Sequence, residues 1–210
     1  MNALPTIYLI RHGETAWSLE GKHTGASDPP LTAHGEAQAR ALAWRLIEVE
    51  FSHVLVSPRT RAQKTCELAE LASVSEVEPK LAEWNYGDYE GLTLAEIRKQ
   101  RPNWNIWQDG SPHGESPSEM SARVDRLITH LNSMHGNVAL FTHGHLGSAL
   151  AARWIGMHIS AGQHFVLQPA SLSILGHTTD HTHKHLIELW NETEVVSRAA
   201  EEAETAPSKT

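Results

Sequence analysis

Three short polar segments carry the residues with the most distinctive chemistry in this 210-residue sequence. They are Arg11-His12-Gly13, the run Ser57-Pro58-Arg59-Thr60-Arg61, and Thr142-His143-Gly144-His145. An imidazole can act as a nucleophile or a base, and a guanidinium matches the oxygen atoms of a phosphate through paired hydrogen bonds. Any one of these segments alone is compatible with an ordinary surface loop. Together they indicate nucleophilic chemistry on a bound anion.

Each polar segment follows a short apolar run that is typical of a buried strand. The runs cover residues 7–10, 53–56 and 138–141, and helical patterns follow the second and third polar segments. Such alternation of strand and helix predicts an α/β fold with parallel strands. Because ligands bind beyond the carboxyl ends of the strands in open α/β sheets, we expect the three segments to meet at one edge.

The rest of the pattern supplies the other elements of that fold. Leu31-Thr32 begins a helix that extends to about residue 49, and Ser57-Pro58 offers the cap and the proline that begin another helix. A capping box in Ser116-Pro117-Ser118-Glu119 begins a long helix. Further predictions are a strand over 74–79, helices over 94–98 and 146–155, a structured loop or lid over 103–115, and a hairpin over 172–175 and 186–190.

Composition narrows the class of protein. Hydrophobic residues make up 40% and charged residues 20% of the chain, which predicts a globular protein with one core. We expect a single domain over residues 1–191 and a flexible tail over 192–210, with a homodimer left open. The net charge of −8 argues against a nucleic-acid partner, because a phosphate backbone requires a basic surface. The sequence has a single cysteine and contains no apolar run of transmembrane length and no signal sequence. These features predict a cytoplasmic protein without membrane attachment.

The order and spacing of the polar residues closely resemble the histidine phosphatase superfamily over roughly residues 6–190. The matching residues are Arg11-His12-Gly13-Glu14-Thr15, Thr24-Gly25, Leu31-Thr32, Ser57-Pro58 with Arg61-Ala62, Glu83 and Thr142-His143-Gly144. The resemblance implies a three-layer αβα sandwich with a mostly parallel sheet flanked by helices, the fold of the cofactor-dependent phosphoglycerate mutases. It also implies a phosphatase that needs no metal and no other cofactor.

By this resemblance, His12 is the nucleophile and forms a phosphohistidine intermediate. Neutral imidazole is a good nucleophile near its ordinary pKa of about 6.5, so the step requires no metal. Arg11, Arg61 and His143 would stabilise the charge on the equatorial oxygen atoms of the transferred phosphoryl group. Arg59 competes for the role of Arg61, but the family places its arginine directly before an alanine, which favours Arg61.

Three further residues are expected to contact the phosphate, namely Ser18, Thr24 and Gly144. Relatives commonly carry an asparagine at the position of Ser18, although its shorter hydroxyl can still donate a hydrogen bond. A substrate contact is also expected from His145, which stands beside the predicted pocket.

The aromatic segment 81–91 supplies the acid that this chemistry needs. Glu83 matches the acid position of the family, where it would protonate the leaving alkoxide and later activate water. Its neighbours Trp84 and Tyr86 would shield it from solvent and are candidates for substrate contacts.

The leading prediction for the activity is hydrolysis of a phosphomonoester of a small metabolite. The alternative is a phosphoglycerate mutase, which must exclude water and retain a bisphosphorylated intermediate. Family mutases carry extra sequence after the acid and basic residues beside it, whereas here the segment 83–116 is short and Trp84-Asn85 follows Glu83. A phospho-ligand binder without catalysis is a third alternative, disfavoured because every core catalytic position is intact.

The substrate class rests on a finer resemblance. The segment 83–91, together with Trp104-Asn105-Ile106-Trp107, looks like the branch that includes sedoheptulose-1,7-bisphosphatases and bacterial members of broad specificity. A sugar phosphate or bisphosphate is therefore the preferred substrate, with a broad-specificity phosphatase as the alternative. Arg98, Lys99 and Arg101 are candidates for holding a second phosphate, although a solvated helix end explains them as well.

Four histidines near the C-terminus suggest a metal site at first sight: His177, His181, His183 and His185. No cysteine or carboxylate completes a tetrahedral set, and hairpin turns are often polar. A structural hairpin is the preferred interpretation.

Overall fold

The computed structural model describes residues 4–179 and 182–193. Its strands are β1 (Thr6–Arg11), β2 (Phe51–Val56), β3 (Ser75–Val77), β4 (Asn137–Thr142), β5 (Leu172–His177) and β6 (His185–Glu192). Its helices are α1 (Ala16–Leu19), α2 (Ala33–Leu46), α3 (Thr60–Leu68), α4 (Leu94–Gln100), α5 (Ile106–Asp109), α6 (Pro117–Leu131) and α7 (Gly144–Trp154). In the described residues, no helix is long and apolar enough to cross a membrane.

The six strands form one mixed sheet in the order β3-β2-β4-β1-β5-β6. The first four of these are parallel, and β5 and β6 add an antiparallel hairpin at the edge. Arg11 lies opposite Thr142 in the register of β1 and β4, and Val56 lies opposite Phe141 in that of β2 and β4. The predicted meeting of the three polar segments at one sheet edge is confirmed, because they follow three adjacent parallel strands.

Alternating side chains of the central strands enter two separate cores. Ile7 and Leu9 of β1 pack in one apolar cluster with residues of α6 and α7, such as Val124. Ile10, one residue further along, packs in the other cluster with residues of α2 and α3, such as Leu42. This alternation is the period of a strand buried on both faces. The predicted three-layer sandwich is confirmed.

Helix caps explain where the long helices begin. The Ser116 hydroxyl accepts from the backbone N–H of Glu119, and the Glu119 carboxylate accepts from the N–H of Ser116, as the predicted capping box requires. The prediction for the helix after β2 was wrong by two residues. That helix, α3, begins at Thr60 rather than at Pro58, and the Ser57 hydroxyl both contacts His143 and accepts from the N–H of Arg59, the residue before the helix.

The C-terminal end of the sheet also corrects a predicted boundary. Glu192 was assigned to the tail, but it is the last residue of β6 and forms an ion pair with Arg45 of α2. The rest of the predicted tail, residues 194–210, lies outside the described residues. Within the segment 103–115, the indole of Trp104 donates to the carbonyl of Gly110 at 2.8 Å, so the segment is held by a buried contact.

Candidate active site

A cavity of about 300 Å³ opens where β1 and β4 end and α7 begins. Its wall comes from distant parts of the chain, which only the tertiary fold brings together. It is lined by Arg11, His12, Thr15, Ser18, Gly21, Lys22, His23, Thr24, Glu83, Tyr86, Trp107, Gly144, His145, Ser148, Gly162, Gln163, Phe165, Val166 and Leu167.

The protonation of His12 follows from its two neighbours. Its Nδ1 lies 2.7 Å from the carbonyl oxygen of Gly13, and because a carbonyl only accepts, Nδ1 carries the proton. Its Nε2 accepts a hydrogen bond from Nε of Arg61 at 3.3 Å. Burial, together with the charges of Arg11 and Arg61, lowers the pKa of His12 well below its usual value. The ring is neutral, with its lone pair on Nε2.

Arg61 is buried in the first turn of α3 and is held by the loop that follows α1. Its Nη1 donates to the carbonyl of Ser27 at 2.8 Å and to the Asp28 carboxylate at 3.3 Å. Its Nη2 donates to the carbonyl of Thr24 at 2.9 Å. These contacts fix the guanidinium plane so that Nε faces His12, which places a cation beside the candidate nucleophile.

His143 lies on the other side of His12, with the two ring centroids 5.2 Å apart. The Ser57 hydroxyl lies 2.7 Å from Nε2 of His143. Burial, followed by the charge of Arg61, lowers the pKa of His143 well below its usual value, so the ring is neutral. Because Ser57 has no other acceptor among the described residues, its hydroxyl donates to Nε2 and leaves the proton of His143 on Nδ1.

Two buried N–H groups next to His12 lack an acceptor in the described part of the chain. They are Nε of Arg11 and Nδ1 of His143. Arg11 is otherwise anchored, because its Nη1 donates to the carbonyl of Leu167. Buried donors are almost always paired, and a missing acceptor costs free energy. Both donors would be satisfied by the oxygen atoms of an anion bound at His12.

Glu83 enters the cavity from the segment before α4. Its Oε1 accepts from the backbone N–H groups of Trp84 at 2.9 Å and of Leu146 at 2.8 Å. Its Oε2 accepts from the N–H of His145 at 2.9 Å. Two of these donors belong to the first turn of α7, where the helix leaves N–H groups unpaired. The carboxylate is thus held in one orientation in the wall of the cavity.

Tyr86 and His145 form a neutral pair in the cavity wall. The Tyr86 hydroxyl lies 2.6 Å from Nδ1 of His145. Burial, followed by the Glu83 charge, raises the pKa of Tyr86 well above its usual value, so the phenol keeps its proton. Burial lowers the pKa of His145 to about 4. Both residues stand where a substrate contact was expected.

The three residues expected to contact the phosphate, Ser18, Thr24 and Gly144, all line the cavity but differ in whether their groups are free to bind it. Gly144 lines the cavity beside Arg11, and a Cβ there would stand 3.5 Å from the guanidinium carbon. Thr24 lines the cavity, but its hydroxyl donates to the carbonyl of Lys22 at 3.0 Å. The Ser18 hydroxyl accepts from the N–H of Thr15 at 2.9 Å, as part of a capping box for α1, and donates to the carbonyl of Thr15 at 2.8 Å. Its role here is structural, and a phosphate contact would require it to release that carbonyl.

Trp84 corrects the prediction of a substrate contact. Its side chain is 0% exposed, and its indole donates to the carbonyl of Glu115 at 2.8 Å. It packs edge-on against Trp107, with ring centroids 5.4 Å apart, and Trp107 is the ring that lines the cavity. Trp84 therefore supports the wall from the core side and does not reach the cavity in this structure.

The basic residues considered for a second phosphate lie outside this cavity. Arg98 donates to the carbonyl of Trp104 at 3.4 Å, and Arg101 pairs with Asp109 at 3.6 Å. Lys99 is exposed on α4. Arg59, the competitor of Arg61, is the residue before α3 and lines a separate cavity on the far side of Glu83.

Three residues at the site were missed by the sequence interpretation. Asp28 holds Arg61 and also accepts from the N–H of Thr60 at 2.7 Å. The Thr65 hydroxyl accepts from the N–H of Gly13 at 3.0 Å and so positions the loop after His12. His23 lines the cavity. Asp28 and Thr65 lie in other parts of the chain and have no pattern that marks them as site residues. For His23, the residue type alone could have suggested a role at the site.

The histidine-rich hairpin shows ring packing. The rings of His177 and His185 are 4.8 Å apart, and the indole of Trp154 stacks on His185 at 4.1 Å. Over residues 4–179 and 182–193, no group of three or more His, Cys, Asp or Glu side chains could hold a metal ion. His181 lies outside these ranges.

Comparison with known proteins gives one consistent family. The family described as "Histidine phosphatase superfamily (branch 1)" matches residues 7–193. An acid phosphatase from Mycobacterium tuberculosis is 40% identical over 176 residues, which cover 81% of this chain and 85% of the relative. The sedoheptulose 1,7-bisphosphatase of Saccharomyces cerevisiae is 32% identical over 189 residues, covering 74% of this chain and 69% of the relative.

A solved structure agrees with these sequence relatives. The product of an open reading frame of Mycobacterium tuberculosis superposes with a TM-score of 0.83 at 37% identity, over 90% of this chain and 97% of the other. The family match spans every element that contributes a residue to the cavity. The chain therefore belongs to the histidine phosphatase superfamily, branch 1, and with it to the phosphoric monoester hydrolases that the family name describes.

Proposed function

We propose that this protein hydrolyses the phosphomonoester of a small sugar through a phosphohistidine intermediate on His12. The observation that carries the proposal is the state of His12 itself. Its ring is neutral, Nδ1 is bound to a carbonyl, and Nε2 holds a lone pair beside three cationic or N–H donor groups. This is the arrangement that a phosphoryl-accepting imidazole requires.

In the first step, Nε2 of His12 attacks phosphorus and the ester oxygen leaves. Arg11, Arg61 and His143 donate to the equatorial oxygen atoms, where charge is spread in the transition state. The carbonyl of Gly13 accepts from Nδ1–H and favours the positive charge that develops on the ring as the Nε2–phosphorus bond forms. Glu83 must take up a proton before this step, and it donates that proton to the departing alkoxide.

In the second step, water replaces the alcohol in the cavity. Glu83, now a carboxylate, removes a proton from the water, whose oxygen attacks phosphorus and breaks the bond to Nε2. Phosphate is released and His12 returns to its neutral form. Because the nucleophile is a neutral imidazole and the charge is balanced by guanidinium groups, the proposed pathway uses no metal ion and no other cofactor.

Hydrolysis is favoured over the mutase reaction by the charges of the cavity. A bisphosphorylated intermediate would place a second phosphate away from His12, and that group would need its own cations. Among the described lining residues, the lysine and arginine side chains are Arg11 and Lys22. Lys22 already pairs with Glu20 at 2.5 Å. This favours a phosphatase whose substrate has a largely uncharged leaving alcohol.

The sugar class is supported by the polar side chains around the cavity and by the name of the yeast relative. His23, Tyr86, His145 and Gln163 offer hydrogen-bonding groups, while Trp107 offers a flat apolar surface. A mixture of polar groups and an aromatic ring suits a polyhydroxylated molecule. A sugar bisphosphate, such as sedoheptulose 1,7-bisphosphate, belongs to this class only if its second phosphate reaches beyond the cavity, and a broad-specificity phosphatase is the alternative.

The test is phosphate release from sugar monophosphates, sugar bisphosphates and phosphoglycerates in the presence of EDTA. His12→Ala is the inactive variant, and His135→Ala, in an exposed loop before β4 and at the opposite edge of the sheet, is the matched control. Release that is lost only in His12→Ala supports the proposal. Phosphoglycerate isomerisation without release, or full activity in His12→Ala, would overturn it.

The location and assembly of the protein remain predictions. The prediction of a cytoplasmic location follows from the single cysteine and the absence of an apolar membrane or signal segment, and the net charge of −8 disfavours a nucleic-acid partner. A homodimer is an open alternative. Light scattering of the purified full-length chain would decide between monomer and dimer.

A further inference from the structure

Two histidines outside the catalytic set face each other across the cavity. The rings of His23 and His145 are within 15° of parallel, with centroids 6.1 Å apart. Both line the cavity. His145 also sits directly beside the proposed general acid, because its backbone N–H donates to Glu83. A leaving alcohol that takes its proton from Glu83 must therefore pass close to this pair.

The hydrogen-bond partners fix which nitrogen of each ring carries the proton. Nδ1 of His23 lies 2.8 Å from the carbonyl oxygen of Leu92, so Nδ1 is protonated. Burial lowers the pKa of His23, which leaves Nε2 with a lone pair. His145 has the opposite arrangement: the Tyr86 hydroxyl keeps its proton and has no other acceptor among the described residues, so it donates to Nδ1 of His145 and the ring proton is on Nε2.

The two Nε2 atoms consequently have opposite hydrogen-bonding character. Nε2 of His23 accepts and Nε2 of His145 donates, and neither has a protein partner in the described part of the chain. We propose that this pair recognises hydroxyl groups of the leaving alcohol: one accepts from Nε2 of His145 and another donates to Nε2 of His23. The inference rests on the proposed phosphomonoesterase function and narrows its substrate to an alcohol with hydroxyl groups near the ester.

The same pair disfavours an anionic group at this position. A carboxylate or phosphate oxygen has no proton to donate, so it would leave its own lone pairs facing the lone pair of His23. Unpaired polar groups of this kind make a buried site reject a mismatched ligand.

The test compares glycerol 3-phosphate with propyl phosphate, which has the same carbon chain and no hydroxyl groups. We expect the unmodified protein to hydrolyse glycerol 3-phosphate with a kcat/KM at least about tenfold higher. His23→Phe and His145→Phe should each lower that ratio to near one. His23→Gln, which retains an acceptor, should recover part of it. His135→Phe is the matched control and should leave the ratio unchanged.

Tyr86→Phe tests the recognition directly, because a purely structural role of the two histidines would leave the substrate ratio of this variant unchanged. It removes the donor to Nδ1 of His145, so the ring proton is free to shift from Nε2, and the substrate ratio should fall while the His145 side chain stays. Binding of both phosphates to His12→Ala by calorimetry gives the same preference without any reaction. If glycerol 3-phosphate binds with a lower Kd than propyl phosphate, and His23→Phe removes this difference, the inference is supported. This holds even if the protein hydrolyses neither phosphate and the proposed function is wrong. Equal Kd values for the two phosphates, or equal losses for both in the phenylalanine variants, would overturn the inference.

Discussion

Nε of Arg61 donates a hydrogen bond to Nε2 of His12 across 3.3 Å, so the buried cation and the proposed nucleophile are in direct contact. This contact allows only the tautomer with the lone pair on Nε2. The same guanidinium lowers the pKa of His12, as the third cause after burial and the charge of Arg11. One residue therefore selects the reactive nitrogen, keeps it unprotonated and lies ready to donate to the phosphoryl oxygen atoms.

Arg61→Lys should lower kcat by about 10²- to 10³-fold, the usual cost of removing a transition-state donor. Lysine keeps the charge but cannot reproduce three directed contacts at once. Steady-state kinetics with a sugar phosphate measure this effect. Arg126→Lys, on the exposed side of α6, is the control. A kcat within threefold of the original value would show that Arg61 is not in the reaction.

Asp28→Asn should impair the reaction without removing any group that touches the phosphate. The carboxylate accepts from Nη1 of Arg61 and from the N–H of Thr60, and an amide would weaken the charged contact. We expect about a tenfold loss of kcat and a smaller change in KM. Asp88→Asn, an exposed residue paired with His113, is the matched variant. If both substitutions have the same effect, Asp28 does not position Arg61.

Glu83→Gln should separate the two chemical steps. With an alkyl phosphate, which needs an acid for its poor leaving group, the loss in kcat should be about 10²- to 10⁴-fold. With p-nitrophenyl phosphate, whose leaving group needs no acid, a burst of one nitrophenolate per chain should persist before slow turnover. Stopped-flow absorbance records the burst, and phosphorus NMR of the quenched protein identifies phosphohistidine. Loss of the burst as well would contradict the assigned role.

Stability should fall as the pH is lowered below about 6.5, because His12, His143 and His145 are held neutral in the fold. Their pKa values in the folded state lie below the unfolded value, so the unfolded chain binds more protons in this range. For His145 the window runs from about 6.5 down to its folded pKa of about 4. Each such histidine contributes a slope of about 1.4 kcal/mol per pH unit within its window.

Urea unfolding at pH 7, 6 and 5 measures that slope. His145→Gln removes one of the titrating groups and should make the free energy of unfolding less dependent on pH over this interval. His135→Gln, in an exposed position, should leave the slope as it was. A slope that is identical in all three proteins would show that His145 is not held neutral by the fold.

Trp84→Ala should act on stability before it acts on substrate binding. The side chain is fully buried and its indole N–H is satisfied by Glu115, so truncation creates a cavity and leaves a carbonyl unpaired. We expect a loss of about 3–5 kcal/mol in the free energy of unfolding. Trp84→Phe should lose less and keep KM close to the original value. A large change in KM for Trp84→Phe with unchanged stability would support the prediction that Trp84 contacts the substrate directly.

The sequence by itself determined the fold class and the approach of the polar segments. Strands β1, β2 and β4 could be read from short apolar runs, because a strand buried on both faces has a continuous apolar signal. Their parallel order then brings Arg11, Ser57 and His143 to one edge, since carboxyl ends of parallel strands coincide. The motif spacing identified the family, which the comparisons confirm.

Only the tertiary structure decided which side chains face the cavity. Sequence cannot tell which of two nearby aromatic residues lines the cavity, and here Trp84 enters the core while Tyr86 lines the cavity. Sequence also cannot show that the Ser18 hydroxyl takes part in the cap of α1, or that Asp28 holds a guanidinium 33 positions away. These outcomes depend on contacts between distant segments. Local patterns carry no information about such contacts, because backbone path and packing determine them jointly.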